Sequence, residues 1–445
     1  MKYRNAAVVI FSVLAFILIA TAVTAQSNGD RQTYMPIVVR PLPTPTFTPM
    51  PTPSPTPSPT AVPPGTQVEV RALWVTRFDW TSDDADINPA KIDEIVNNAA
   101  YAGFNTIYYQ VRGEADSFYQ SNYEPWSQRL TGTLGQNPGW DPLAYMIDRA
   151  HAQGIQVHAY INVYPVWLGC TPPADGTTPR HLYYQLRDLG TTNGKPNHLQ
   201  WDTGDNVLCG SNHYMRASPA SIPFDDHLLN VATDLVTRYD IDGIHLDHIR
   251  YGGANTSCDP VSESSYGTNC FGNNGPMSYE DWQRAQVNGT VWKFYSEIVP
   301  LKENLWLSAA VWPVYIDYWG WGSSQGYHDY YQDSKAWMGA YSGDGYIDSI
   351  SPMIYGSSFW TRSVWETLVQ DFQNDSNGRY VIPGIHGNYD SFDDIEWRIN
   401  RARQIGTAGH AIFAYGYLLE HAYFDDLRNG PYANPAVVPD IPWHP

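Results

Sequence analysis

From Gln67 onward, short apolar runs alternate with amphipathic helical patterns almost to the end of the chain, and that alternation admits few architectures. Strands are expected at Val68–Trp80, Thr106–Arg112, Ile155–Val163, Gly243–Ile249, Trp306–Val314, Ile347–Tyr355, Tyr380–Ile385 and Ala411–Tyr417. Helical patterns fall between them at Pro89–Tyr101, Pro142–Gln153, Asp225–Tyr239, Tyr279–Val299, Arg362–Asn374 and Asp393–Ile405. A strand-helix repeat of this kind, over roughly 360 residues, predicts an α/β fold of the (β/α)8 TIM-barrel type, whose range is about 200 to more than 400 residues. The rival is a doubly wound open sheet, but no Gly-rich phosphate loop follows the first strand. The long insertions also all follow strands. That one-sidedness is what a barrel with a single active face predicts.

The barrel reading spans 67–430, with a short tail at 431–445. Ahead of it, Met1-Lys2-Tyr3-Arg4, the apolar run Ala6–Ala22 and the small-residue sequence Val23-Thr24-Ala25 have the form of a secretory signal over 1–25. An uncleaved signal anchor is the alternative, and it is the one route to a membrane that the sequence offers. Residues 26–66 are rich in Pro, Thr and Ser, as in Pro51-Thr52-Pro53-Ser54-Pro55, and read as a semi-rigid linker. The remainder is expected to be secreted or displayed at the cell surface. Four cysteines suit an oxidising compartment, and of the three pairings they allow, proximity favours Cys170 with Cys209 and Cys258 with Cys270, each closing one loop. Lys plus Arg number 26 against 45 Asp plus Glu, a formal charge of −19 that would repel a phosphate backbone and argues against nucleic acid as a partner. The 17 Trp and 32 Tyr exceed what a core requires and suit the flat faces of sugars. Oligomeric state is left open.

The run Ile241 to Tyr251 reads as a buried strand that carries chemistry. Period-two alternation places Ile244, Leu246 and His248 on one face and His245, Asp247 and Ile249 on the other. Asp247 is the first catalytic candidate; its structural alternative is a cap for the next element or a partner for Arg250. The same alternation puts Gln110 with Arg112, His158 with Tyr160 and Asn162, and Ser351 with Tyr355 on faces expected to point inward. A barrel built for stability alone would fill these positions with branched aliphatics. The substrate-binding set is therefore Gln110, Arg112, Tyr160, Asn162, His245, Arg250, Trp312, Tyr355 and Tyr415. Arg112 has a second reading, as the cation that keeps Asp247 ionised. His158 and His245 are equally readable as hydrogen-bonded core residues. The rings after the fifth strand, Tyr315, Tyr318, Trp319, Trp321, Tyr327, Tyr330 and Tyr331, form either a sugar platform or a self-packed loop. A metal site on His158, His245 and Asp247 is a rival, but no His-x-His pair stands on the first strand, and neither metal nor cofactor is expected.

Taken in order, Arg71-Ala72-Leu73-Trp74-Val75, Tyr109-Gln110-Val111-Arg112, Tyr123-Glu124-Pro125-Trp126-Ser127 and Asp242-Gly243-Ile244-His245-Leu246-Asp247 resemble the glycosyl-hydrolase-like family ten barrel proteins. Pro352-Met353-Ile354-Tyr355 and Ile412-Phe413-Ala414-Tyr415-Gly416 extend the resemblance over Val68 to Leu419. It implies an exported bacterial glycoside hydrolase with a poly- or oligosaccharide substrate, cell-wall glycan and peptidoglycan strands included. Asp247 matches the family's acid at the end of strand four, and Asp116 an acid in the loop after strand two. Many relatives carry two consecutive acids where this chain has Asp247-His248. Glycoside cleavage usually needs two carboxyl groups, one protonated and one ionised. Asp247 suits the ionised role, and Glu114, Asp116 and Asp317 are the candidates for the acid. The rival is a non-catalytic glycan-binding barrel.

Overall fold

The computed structural model describes residues 65–81, 87–267, 269–272, 275–356 and 358–444; the expected signal segment and nearly all of the linker lie outside them. Eight parallel strands form the centre: β1 (Val70–Val75), β2 (Thr106–Arg112), β3 (Gln156–Asn162), β4 (Gly243–Asp247), β5 (Trp306–Val311), β6 (Ser349–Pro352), β7 (Tyr380–Val381 and Gly384–His386) and β8 (Gly409–Phe413). The two halves of β7 are joined only by Ile382 and Pro383. The first half pairs with β6 through Ser349↔Tyr380, and the second pairs with β8 through Gly384↔Ala411. β8 then pairs with β1. One seven-residue segment thus hydrogen-bonds on both sides, and the sheet closes into a barrel.

Six long helices pack outside: α1 (Pro89–Ala102), α2 (Pro142–His151), α3 (Ile222–Arg238), α4 (Tyr279–Lys293), α5 (Arg362–Asn374) and α6 (Phe392–Ile405). Their starts are fixed locally. Asn88, Asp141, Ser221 and Thr361 each accept a backbone N–H of the first turn, and Pro occupies an opening position of α1, α2 and α3. Between β5 and β6 the described residues form only the four-residue turns Gly326–Asp329 and Ser334–Trp337. The main core lies between barrel and helices, where Ile107, Val157, Ile161, Ile244 and Leu246 of the strands meet Leu143, Met146, Val231 and Leu235. Inside the barrel, Trp74, Tyr108 and Tyr160 cluster with Ala72 and Ala411.

Several strands are shorter than their apolar runs. β1 stops at Val75 because Thr76 and Asp79 cap each other's backbone groups and turn Arg77–Trp80 into a helical turn. β5 ends at Val311 and β6 covers only Ser349–Pro352. β8 ends at Phe413, and Tyr415 opens the helix Tyr415–His421. An apolar run does not separate strand from buried turn when both bury the same side chains. The excursion after β3 carries the Cys170–Cys209 disulfide and the loop after β4 carries Cys258–Cys270, the pairing that proximity implied. No helix of the described residues is long and apolar enough to cross a membrane.

The top of β2 departs from the expected alternation. Its register slips between Gln110 and Arg112, so that Gln110 pairs with Tyr160 while Arg112 pairs with Ile161. The slip turns Arg112 off the face of Gln110. Its guanidinium is fully buried, donates to both Glu124 oxygens at 2.8–3.0 Å and reaches the carbonyls of Asn162 and Val163. Arg112 is therefore a brace between strands and loop, neither a substrate contact nor the counter-ion of Asp247. His227 of α3 adds a contact to Glu124 at 3.0 Å. Burial alone would raise the Glu124 pKa, but Arg112 and His227 together bring it from 4.5 down to about 2.

Two outcomes are expected. Gly409 has φ +148°, and a β-carbon there would overlap the Val70 carbonyl across the β8–β1 contact. Gly409→Ala should destabilise by at least about 3 kcal/mol in chemical denaturation, because backbone cannot yield as a side chain does. Arg112→Met leaves Glu124 buried without its charge partner and should cost about 3–5 kcal/mol at neutral pH. The Glu124 pKa is depressed on folding, so its contribution is present above the ordinary 4.5 and is lost as pH falls towards about 2. The deficit of Arg112→Met should accordingly shrink through that window.

Candidate active site

At the C-terminal ends of the strands lies a cavity of about 590 Å³. Gln110 of β2, Tyr160 and Asn162 of β3 and Asp247 of β4 form its floor, and His248, Arg250 and Tyr355 rise beside them. The turn after β1 contributes Arg77, Phe78 and Asp79, the excursion after β3 contributes Tyr214, and the segment after β8 contributes Tyr417 and Glu420.

Asp247 is the most heavily coordinated group there. One carboxylate oxygen accepts from the Tyr160 hydroxyl at 2.7 Å; the other accepts from the His248 backbone N–H at 2.5 Å and from Arg250 at 3.2 Å. Burial opposes its ionisation, but the charge of Arg250 and the hydrogen bonds from the Tyr160 hydroxyl and the His248 backbone N–H hold it well below the ordinary carboxylate range. The His248 ring is itself held neutral, first by burial, against the pull of Asp247 and with the help of Arg250, Arg216 and Arg77. Arg250 is thus the lasting countercharge at neutral pH. The Tyr160 hydroxyl stays protonated, because burial and then the Asp247 charge push its pKa far up.

His248 stands where alternation did not put it. Its φ is +50°, and this left-handed kink ends the strand and swings the ring into the cavity wall. Its Nδ1 accepts from Arg216 at 3.1 Å. Ile249, expected beside Asp247, instead packs into the core.

Asp79 was not singled out by the strand pattern. It comes from the Thr76–Asp79 cap: one oxygen accepts from the Thr76 N–H and hydroxyl at 2.6 and 2.8 Å, the other from the Gly416 N–H at 2.9 Å. A β-carbon on Gly416 would lie 2.7 Å from that second oxygen, so a larger residue there would have to displace the carboxylate. Burial raises the Asp79 pKa despite these donors. The Thr-x-x-Asp spacing at the end of the first apolar run was the available signal.

Other expected site residues lie elsewhere. Glu114 sits behind Arg77, taking a contact from its guanidinium at 3.3 Å and from the Leu168 N–H at 3.1 Å, and is absent from the cavity wall. Asp116 folds back to accept the Glu114 N–H at 2.8 Å. Asp317 is consumed by the backbone N–H groups of Trp319, Trp321, Gly322 and Ser323. His245 lies beneath the site, stacked on Tyr108 at 4.1 Å, accepting from Trp74 Nε1 at 3.1 Å and facing Ser308 at 2.8 Å. Burial lowers its pKa to about 3, so it is a neutral core histidine. His158 is likewise buried, with a pKa lowered to about 3 by burial. Trp312 packs at a tilt against Tyr330 and backs Arg250 at 5.5 Å without lining the cavity. Tyr415 points outward to Glu94 and Asn98 of α1, because the helix that starts there has rotated it off the strand face. Among the described residues, no three His, Cys, Asp or Glu side chains form a group that could hold a metal ion.

Comparison with known proteins extends this picture. The chain is 26% identical over 417 residues to the glycosyl hydrolase YngK of Bacillus subtilis, covering 84% of this chain and 74% of that protein. It is 27% identical over 323 residues to the glycosyl hydrolase DigH of Escherichia coli K12, covering 66% and 68% respectively. Among solved structures, the glycoside hydrolase domain of PgaB (BpsB) from Bordetella bronchiseptica superposes with a TM-score of 0.58 at 12% identity, over 81% of this chain and 98% of that one, and shares the barrel fold. Residues 69–377, well over half the sequence, match the family model of glycosyl hydrolase-like 10, and the chain belongs to that family.

Proposed function

We propose that this protein is an exported glycoside hydrolase that cuts a polysaccharide, with cell-wall glycan as the leading substrate class. Asp247 serves as the ionised carboxylate and Asp79 as the acid. The observation that carries the reading is that one cavity holds two carboxyl groups whose surroundings push their pKa values in opposite directions, Asp247 down and Asp79 up. Hydrolysis of a glycosidic bond needs that division: the protonated group hands its proton to the departing oxygen while the ionised one acts as nucleophile or as base for water. Tyr160 and Arg250 hold Asp247 in place and keep it charged. The single acid of this chain's Asp247-His248 pair is consistent with an acid supplied from a different strand end.

Recognition follows from the same wall. Phe78 is 59% exposed at the rim, with the guanidinium carbons of Arg77 and Arg129 4.4 and 4.7 Å from its ring centre. A ring fixed in this way offers a face for a sugar. Asn162 stands in the cavity wall and is fixed there by donating to the Gly113 carbonyl at 3.0 Å. Export rests on the N-terminal segment 1–25. The second reading, a glycan-binding barrel without catalysis, is favoured by the histidine that follows Asp247, and hydrolysis separates the two.

Asp247→Asn should abolish release of reducing ends from purified peptidoglycan glycan strands, by at least about 10³-fold, while strand binding persists. Release by Asp247→Asn equal to wild type would remove Asp247 from the mechanism; no release by wild type would leave the binding-only reading. Asp79→Asn should slow cleavage by about 10² to 10⁴-fold and recover most of that loss on aryl glycosides whose leaving group needs no proton. The pH profile of kcat/KM carries its own sign. The raised Asp79 pKa keeps the acid form to higher pH, so activity falls as pH rises through that value. The depressed Asp247 pKa delays the acid limb to below the ordinary carboxylate range.

A further inference from the structure

Outside the catalytic cavity, a second concavity of about 340 Å³ lies between the loop after β5 and the outer face of α5, and the two share no lining residue. We propose that this groove is a second glycan-binding site for a neutral stretch of the same polymer, which it holds while another part of the chain enters the cavity. The proposal rests on the hydrolase reading above.

One wall is Trp319, half-buried and stacked on Trp321 at 4.5 Å with 18° between the rings. Trp321 in turn packs edge-on against Phe359 at 5.7 Å. The loop that presents these rings is fixed by Asp317, which accepts four backbone N–H groups, those of Trp319, Trp321, Gly322 and Ser323, at 2.8–3.4 Å, so the indole is held in position before any ligand arrives. The opposite wall is polar. Glu366, Thr367, Gln370, Asp371 and Asn374 recur at helical spacing along α5, whose other face buries Trp365, Leu368, Val369 and Phe372 in the core.

The chemistry of that wall selects the ligand. Glu366 is paired with Arg401, Lys335 is shared between Asp371 at 2.9 Å and Asp375 at 2.7 Å, and none of the six lining residues is a cation that could hold an anionic group. Gln370 donates to the Asn374 side-chain oxygen at 2.8 Å. Its own carbonyl oxygen and the Asn374 amide are left as an adjacent acceptor and donor, the pairing that neighbouring sugar hydroxyls satisfy. A flat indole opposite a row of hydrogen-bonding side chains, Thr367, Gln370 and Asn374 among them, matches a pyranose with one apolar face and equatorial hydroxyls. A lipid chain would need the polar wall to be apolar. Holding the polymer here raises its effective concentration at the cavity, so the benefit is confined to substrates long enough to reach both.

The test uses purified peptidoglycan glycan strands whose lactyl carboxylates have been reduced to neutral alcohols, and chitobiose, titrated against Asp247→Asn and against Asp247→Asn carrying either Trp319→Ala or the pair Gln370→Ala and Asn374→Ala. Both groove variants should bind strands about tenfold more weakly, with chitobiose binding in the cavity unchanged. In the active enzyme the same substitutions should raise KM for strands and leave kcat as it was. Gln370 and Asn374 are exposed and contact only each other, so the pair decides the matter if Trp319→Ala fails to fold. Equal strand affinity in the groove variants, or no strand binding by any of them, overturns the groove. Strand release that still depends on Asp247 would then leave the hydrolase reading standing. Strand binding that depends on the groove, in a wild-type protein that releases nothing, would keep the groove and overturn the hydrolase reading.

Discussion

The arrangement depends on the closure of a parallel sheet through the seven residues that run from Tyr380 to His386. That segment gives its first half to β6 and its second half to β8, and no strand of the central sheet is left with an unpaired edge. Closure requires the backbones of β8 and β1 to come close, which is why Gly409 stands at their contact. With the cylinder closed, every strand ends at one rim, and side chains separated by more than three hundred residues, such as Asp79 and Glu420, share a single cavity.

The interior below that rim is unusual for its polarity. Aromatic and imidazole rings take the place of branched aliphatics, with Trp74, Tyr108, His158 and His245 in mutual contact. Burial keeps both histidines neutral, so the barrel carries rings and hydrogen bonds through its centre without buried charge. Charge appears only where the strands end. There Asp247 is ionised because Arg250 and the Tyr160 hydroxyl replace the water it has lost, and the layer of rings beneath leaves it no room to withdraw.

Much of this was legible in the sequence. Period-two alternation located Gln110, Tyr160, Asn162 and Asp247, and the structure brings all four to one cavity wall together with Arg250 and Tyr355. It failed where the backbone left the regular strand. A register slip at the top of β2 sent Arg112 to Glu124, a left-handed residue brought His248 inward, and a helix start turned Tyr415 towards α1. Glu114 and Asp116 illustrate a different limit. Their loop was correctly placed after β2, but a loop carboxylate takes whichever donors lie nearest, and here these were Arg77 and the loop's own N–H groups.

The order of strands and helices, the pairing of the cysteines and the acidic end of β4 follow from local pattern, because hydrophobic period, capping residues and loop closure act over a few residues or along one segment. Which carboxyl groups share the cavity with Asp247 was decided only in three dimensions. Asp79 reaches the cavity because a capping turn halts β1 and a glycine after β8 lets its N–H approach, and these two events lie 337 residues apart. No property of either segment alone refers to the other; the closed barrel sets them side by side.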